Sequence, residues 1–248
     1  RDGRHLGGLV FLEDRTAVKR LERELSFRRE LAALGEMSAG IAHEFRNATA
    51  AILGYARLAG AASDAEARAR HLGRIRAEAE HVARVTGDFL IFARPERLQI
   101  APVALAPLVE EVLAEGRATC PGAAFSAEGD FPEVEADAAL LRRALVNLVR
   151  NAAEAAGDGG RVAVRGEPTD GGGFALVVED SGPGVTREAA EKLFVPFAST
   201  KEGGTGLGLS LVAKIAALHG GTIAASRSAA LGGASFRLAL PPPAPTWP

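Results

Sequence analysis

The sequence predicts an α+β fold in which an antiparallel helical hairpin precedes an α/β sandwich. Apolar residues recur at spacings of three and four from residue 27 to residue 52, interrupted only by Ser38, and again from residue 72 to residue 92. From Pro102 onward, shorter helix and strand patterns alternate across glycine-rich turns. The change of pattern at a polar, proline-marked hinge predicts two structural units.

The composition of the chain argues against several classes of function and site. The 248 residues suffice for one large domain or two ordinary ones, and 47% apolar residues support a sizeable core. A formal net charge of −2 provides no basic field, so no nucleic-acid partner is expected. The single cysteine, Cys120, excludes an internal disulfide and a cysteine-rich zinc site. No apolar run reaches a membrane span, no signal peptide is visible, and the chain does not begin with Met. We therefore expect a cytoplasmic fragment of a longer protein, with membrane contact only through parts outside it.

The first long helix is expected over residues 16–58, about 65 Å in length. It follows a strand pattern at residues 6–13, which we expect to belong to an upstream domain. It ends at a turn in which Ser63 or Asp64 caps a second helix, and this helix stops before Pro95. Two such helices bury only part of their apolar stripes. A second copy of the hairpin is therefore expected to complete a homodimeric four-helix bundle.

The second unit is expected to be an α+β sandwich with helices on one face. Its helices are predicted at residues 105–115, 137–156, 187–193 and 207–219, and its strands at 124–127, near Val134, and at 161–165, 174–179, 222–226 and 234–240. The predicted limits are 1–13 for the upstream remnant, 14–95 for the hairpin, 96–241 for the sandwich and 242–248 for a loose, proline-rich tail.

Four places in the sequence are candidates for function: a histidine, an asparagine pair, an aspartate that ends a strand, and a glycine-rich loop. His43 lies two positions past Ile41 and so points off the buried stripe, although a lone histidine there is most often an ordinary surface residue. Asn147 and Asn151 share one face of a helix, and their amide oxygens suit Mg²⁺ when phosphates supply the charge. A solvent-facing asparagine pair is the commoner reading of that spacing.

Asp180 ends an apolar strand, where its carboxylate can accept a hydrogen bond from an exocyclic amine. Gly182 and Gly184 allow the main chain to approach a flat ring, although a plain turn uses the same residues. A glycine-rich loop at residues 203–208 then opens a helix and presents N–H groups to phosphate. The absence of Gly-Lys-Ser/Thr removes the P-loop, and the absence of a leading strand removes the dinucleotide fingerprint. The joint occurrence of these clusters in this order has no comparably ordinary explanation.

In these motifs the chain resembles the catalytic region of bacterial sensor histidine kinases of two-component signalling. The H, N, first glycine, F and second glycine boxes of that family are matched at residues 40–47, 145–155, 179–185, 193–197 and 203–211. The resemblance covers residues 14–240 and implies a dimerisation and phosphoacceptor hairpin followed by a Bergerat-type ATP-binding domain. Residues 9–16 resemble the end of a PAS sensor domain joined to a signalling helix.

The resemblance implies roles for individual residues. His43 resembles the phosphoacceptor, Glu44 the acid that orients its imidazole or takes its proton, and Asn47 the holder of a water for dephosphorylating the response regulator. Asn151 resembles the Mg²⁺ ligand and Asn147 a supporting contact.

The resemblance also implies roles for residues of the nucleotide site. Asp180 resembles the group that recognises adenine, and Arg150 is either a phosphate contact or a solvated arginine. Lys201 resembles a residue of the lid over the nucleotide. The glycines that resemble those of the nucleotide cradle are Gly182, Gly184, Gly204, Gly206 and Gly208. The implied cofactors are ATP and Mg²⁺, and the implied partner is the receiver domain of a response regulator.

Two departures from the family pattern stand out. Ala48 occupies a position that is commonly proline, which predicts a straighter helix below His43. Glu154 occupies a position that is often lysine, so phosphate charge must be met by Mg²⁺ and other cations.

Two other functions compete with that of a histidine kinase. The related gyrase and heat-shock ATPases place a glutamate base near the position of Asn147, and an asparagine cannot abstract a proton from water. A dimeric scaffold that binds nucleotide without turnover is disfavoured by the intact Asn151, Asp180 and glycine boxes.

Overall fold

The computed structural model describes residues 40–93, 98–186, 193–196 and 206–242. Its first unit is a pair of helices, α1 over residues 40–61 and α2 over Ala65–Ala93. Asp64 Oδ1 accepts a hydrogen bond from the Ala67 backbone N–H at 2.6 Å and so caps α2. The predicted hairpin is confirmed from residue 40 onward, with Asp64 rather than Ser63 as the capping residue. Residues 16–39 of the predicted first helix lie outside the described residues.

The hairpin covers only part of its apolar surface. Ile41, Ala48 and Val85 are buried, with exposures of 8%, 4% and 2%. Four leucines on the two helices are instead 44% to 56% exposed: Leu53, Leu58, Leu72 and Leu90. The incomplete burial expected from the sequence is therefore present in this chain.

The second unit is an α/β sandwich. Its elements are β1 (Ala101–Ala104), α3 (Leu105–Thr119), β2 (Ala124–Glu128), β3 (Glu133–Ala136), α4 (Ala138–Ala156), β4 (Arg161–Pro168), β5 (Phe174–Asp180), α5 (Gly208–Leu218), β6 (Thr222–Arg227) and β7 (Ala234–Leu240). Five strands form one sheet in the order β2-β4-β5-β7-β6, in which β2 is parallel to β4 and the other neighbours are antiparallel. Strands β1 and β3 form a separate antiparallel pair.

The core lies between one face of the sheet and helices α3, α4 and α5. All seven residues of β5 are buried, as befits the central strand of the sheet. Leu141, Leu145 and Leu148 on α4 are almost fully buried, because they recur at helical spacing on the face that meets the sheet. The expected sandwich with helices on one face is confirmed.

Asp137 fixes the start of α4, the helix that carries both candidate asparagines. Its Oδ1 accepts the N–H groups of Ala139 and Leu140, both at 3.1 Å. Its own N–H donates to His219 Nε2 at 2.9 Å, which ties α4 to the end of α5. Further along α4, a hydrogen bond to Glu111 raises the pKa of Arg142 and links the helix to α3.

The hairpin packs against the sandwich through a polar and an apolar contact. Asp88 of α2 accepts two hydrogen bonds from Arg143 of α4, from Nη2 at 2.7 Å and from Nε at 3.0 Å. Beside this pair, Ile41, Val85 and Leu207 form a buried cluster that also includes Phe45 and Phe89. Leu207 immediately precedes α5, so this cluster joins the hairpin to the glycine-rich loop region.

Some sequence predictions differ from the structure or lie outside its described part. Strand β1 was not predicted, and α3 continues to Thr119, beyond the predicted end at residue 115. Three predicted segments fall outside the described residues: the strand at 6–13, the helix at 187–193 except Leu193, and the proline-rich tail except its first residue. No helix within the described ranges combines the length and apolarity needed to span a bilayer.

Candidate functional site

His43 lies exposed on α1, off the buried stripe, as predicted. Its Nδ1 is 3.2 Å from Nδ2 of Asn47, which is also exposed and lies one turn further along the helix. Because residues four apart share a helix face, the two side chains form one solvent-facing unit. This imidazole can therefore meet another molecule.

Glu44 bonds to the second helix of the hairpin. Its Oε1 is 3.0 Å from Nε2 of His81 on α2, and the two side chains are only 23% and 26% exposed. The pair lines a crevice of about 430 Å³ between α1 and α2, together with Asn47 and Arg84. Within the described part of the chain, no hydrogen bond or ion pair joins Glu44 to His43.

Asn147 and Asn151 occupy different environments, although they share a helix face. Asn147 is buried, its Nδ2 donates to the Arg143 carbonyl at 3.0 Å, and its Oδ1 accepts from Arg150 Nη2 at 2.7 Å. Asn151 is partly exposed, and its amide forms no hydrogen bond to any other residue of the described ranges. Asn151 therefore has oxygen and nitrogen atoms available for a ligand, whereas the amide of Asn147 is already bonded to protein at both ends.

Asp180 is a buried carboxylate at the end of β5, with an exposure of 1%. Its Oδ1 accepts the backbone N–H groups of Gly182 at 2.8 Å and Ala234 at 3.1 Å. Any Cβ at position 233 would collide with this oxygen, so the glycine there allows β7 to approach. Both bonds use Oδ1, which leaves Oδ2 for a donor of a bound molecule.

The described part of the second glycine box adjoins Asn147. A Cβ at Gly208 would lie 3.2 Å from Asn147 Oδ1, so the start of α5 is in close contact with α4. Gly206 has a φ of 64° and Gly184 a φ of 81°, conformations that favour glycine. Lys201 and Gly204 lie outside the described residues.

The structure thus brings part of the predicted site together. Gly182 of the first glycine box lies against α4, since a Cβ on it would be 2.5 Å from the Ala155 carbonyl oxygen. Gly208 meets the same helix at Asn147. His43 is not bonded to any of these groups in the described part of the chain, and the link between the two regions is Leu207, which packs on Ile41.

Three residues at these contacts were missed by sequence reasoning: His81, Asp88 and Arg143. Asp88 carried a usable signal, because it is an acid three residues after Val85 in the apolar stripe of α2. Arg143 and His81 carried no such signal in the sequence. Their partners, Asp88 and Glu44, are 55 and 37 residues away.

Two family models match the chain. Residues 33–98 match the His Kinase A (phospho-acceptor) domain. Residues 136–244 match the "Histidine kinase-, DNA gyrase B-, and HSP90-like ATPase" family.

Individual relatives agree with these matches. The signal transduction histidine-protein kinase AtoS of Escherichia coli is 35% identical over 245 residues, which cover 96% of this chain and 40% of AtoS. The chain spans less than half the length of each of the first eight curated relatives.

Solved structures are similar over both units. The histidine kinase ThkA, in complex with the response regulator protein TrrA, is 30% identical with a TM-score of 0.73, covering 93% of this chain and 68% of that one. Full-length ShkA in complex with AMPPNP is 28% identical with a TM-score of 0.61, covering 84% of this chain and 45% of that one.

Proposed function

Because the chain belongs to the histidine kinase family, we propose that it is the catalytic region of a sensor histidine kinase that phosphorylates His43 from ATP. The phosphoryl group then passes to an aspartate in the receiver domain of a response regulator. The observation that carries this proposal is the exposed His43 on a helix that packs, through Ile41, on Leu207 of the second glycine box. One chain thus holds a reactive imidazole and, in contact with its helix, a candidate nucleotide site.

Asp180 is proposed to recognise the adenine of ATP. Its Oδ2 can accept a hydrogen bond from the exocyclic amine, while Oδ1 is held by the main chain at Gly182 and Ala234. An anchored carboxylate of this kind favours a ligand that donates there, because an unpaired charge in a buried site is costly. The solved complex of ShkA with AMPPNP supports a nucleotide as the ligand of such a chain.

Asn151 is proposed to hold Mg²⁺ together with the phosphates of ATP. Its amide has no protein partner among the described residues, and amide oxygen is a ligand that Mg²⁺ accepts. When bound, Mg²⁺ would neutralise charge that develops on the transferring phosphoryl group.

Arg150 is proposed as a phosphate contact, with Asn147 in support. Its Nη2 is held by Asn147 Oδ1, and its Nε is 3.8 Å from Glu154, the position where lysine is often found. Arg150 therefore supplies a cationic group next to Asn147 and Glu154 on α4. The glycines proposed to cradle the nucleotide are Gly182, Gly184, Gly204, Gly206 and Gly208, with Lys201 in the lid.

The phosphorylation step is proposed to proceed by in-line attack. An unprotonated imidazole nitrogen of His43 forms a bond to the γ-phosphorus while the bond to the β,γ-bridging oxygen breaks and ADP leaves. Glu44 orients the imidazole or accepts its proton. When the response regulator is dephosphorylated, Asn47 is proposed to hold the attacking water.

The hairpin is proposed to form a homodimer. The four exposed leucines on α1 and α2 offer apolar surface that a second hairpin would cover in a four-helix bundle. The ThkA complex with TrrA supports a response regulator as partner. We also propose the limits 14–95 for the hairpin domain and 96–241 for the ATP-binding domain.

Sustained ATP hydrolysis of the gyrase kind is not favoured. That activity needs a base at the position of Asn147, and the amide there is bonded at both ends to protein. An amide cannot remove a proton from water at neutral pH.

The proposal is tested by incubating the chain with Mg²⁺ and γ-labelled ATP. The protein should acquire label in an acid-labile, base-stable bond, and His43→Gln should acquire none. Equal labelling of both proteins would refute the assignment of His43.

A further inference from the structure

The bond between Glu44 and His81 joins the two helices of the hairpin beside His43. The His81 ring donates from Nε2 to Oε1 of Glu44 at 3.0 Å. Both side chains are about three-quarters buried, so the bond is less screened by water than an ordinary surface pair. The bond therefore favours a position of the Glu44 carboxylate next to α2.

The surroundings of this pair connect it to the candidate phosphoacceptor. Asn47, which contacts His43, lines the same crevice as Glu44 and His81. The other charged groups that line the crevice are Glu78 and Arg84, both on α2. Among the described residues, the side chain bonded to Glu44 is His81 alone.

We propose that His81 is a positioning residue that fixes the Glu44 carboxylate for the reaction at His43, an inference that rests on the proposed function. A free glutamate side chain samples several rotamers, and restricting them costs conformational entropy. The bond across the hairpin restricts them before the reaction. A nucleophile, a base and a third group that orients the base form a recurrent catalytic arrangement. The proposal assigns these roles to His43, Glu44 and His81 in the reacting complex.

The test measures autophosphorylation of the whole chain with γ-labelled ATP. His81→Phe keeps an aromatic ring of similar size and removes the donor, so the maximal rate should fall about tenfold, a fraction of what a positioned base contributes. The KM for ATP should not change, because the nucleotide site is untouched. His81→Gln retains an amide donor of comparable reach and should restore most of the rate.

A double-mutant cycle shows whether His81 acts through Glu44. In a Glu44→Gln background, His81→Phe should cause no further loss, because the carboxylate that it positions is already absent. The matched control is His71→Phe. His71 also joins the two helices, by stacking on Tyr55 with ring centroids 6.2 Å apart, and it should be replaceable without loss of rate.

The outcomes separate this inference from the proposed function. If the unaltered chain is not labelled, or His43→Gln is labelled equally, the proposed function fails. If the unaltered chain is labelled and His81→Phe matches its rate, only the inference fails. An equal loss in His71→Phe, or an undiminished loss in the Glu44→Gln background, would also overturn it. Should His81→Phe fold poorly by circular dichroism, His81→Asn, whose amide is too short to reach Glu44, replaces it.

Discussion

The ion pair between Asp88 and Arg143 should hold the ATP-binding domain against the hairpin. Two nitrogens of the guanidinium bond to a single oxygen, Oδ1, at 2.7 Å and 3.0 Å. The Asp88 side chain is 11% exposed and that of Arg143 is 33% exposed. Gly87 makes room for the arginine, since a Cβ there would lie 2.6 Å from Nη2. Asp88→Ala removes this contact without altering the apolar cluster beside it.

The expected magnitude follows from the burial of the pair. Breaking a fully buried ion pair costs about 3 to 5 kcal/mol, and an exposed pair contributes less than about 1 kcal/mol. Asp88 is nearer the first limit and Arg143 nearer the second, so we expect a coupling free energy of about 2 kcal/mol. This corresponds to a docking equilibrium weakened about 30-fold.

The assay follows the distance between the two domains. Dyes are attached to the native Cys120 and to a cysteine introduced as Gly73→Cys, a helical position with open space around its Cβ. The labelled chain is measured by single-molecule energy transfer in an excess of unlabelled protein, so that a dimer of the proposed kind carries only one labelled protomer. Asp88→Ala and Arg143→Ala should each populate an undocked state.

Control variants isolate the pair. The double variant should resemble either single variant, and the charge reversal Asp88→Arg with Arg143→Asp should recover docking. Glu66→Ala breaks an exposed pair with Arg70 on the same helix and should change nothing. If Asp88→Ala leaves the distance distribution unchanged, or the coupling falls below about 0.5 kcal/mol, the pair does not hold the domains together.

Two further predictions concern the proposed roles of single residues. Asp180→Asn keeps Oδ1 for its two backbone donors but replaces Oδ2 with an amide, which opposes the adenine amine. Calorimetry should show ATP bound roughly 100-fold more weakly or not at all, and an unchanged Kd would remove the adenine role from Asp180. Asn47→Ala should still become phosphorylated but should dephosphorylate its regulator more slowly in a phosphate-release assay. Normal dephosphorylation would show that Asn47 does not hold the attacking water.

Most of the fold could be predicted because its elements have local signals. The turn residues, the cap at Asp64 and the apolar spacings predicted the hairpin and all strands of the large sheet. Strand β1 was missed because its four residues include a proline and pair only with β3, some thirty residues later along the chain. Such a strand is stabilised by pairing with its partner, and its own sequence pattern gives little sign of it.

The candidate site was predictable in part for the same reason. The spacing of Asn147 and Asn151 placed both on one face of α4, but spacing alone cannot show which amide is available. That distinction depends on Arg150, which bonds Asn147 and leaves Asn151 open. The pairing of His81 with Glu44 depends on how α2 is rotated against α1, and the apolar stripe defines that rotation too coarsely to identify a polar contact.

Ala48 and His81 act on the same residue in different ways. In an α-helix the N–H of residue 48 bonds the carbonyl of residue 44, and α1 is continuous through this turn with Ala48 buried at 4%. A proline at position 48 would remove that bond and crowd the Glu44 carbonyl. With alanine, the main chain of Glu44 stays in the helix while His81 holds its side chain. A regulated bend at this turn would therefore have to break a helical hydrogen bond and the bond to His81 together, so we expect signal transmission to move α1 and α2 as one unit here.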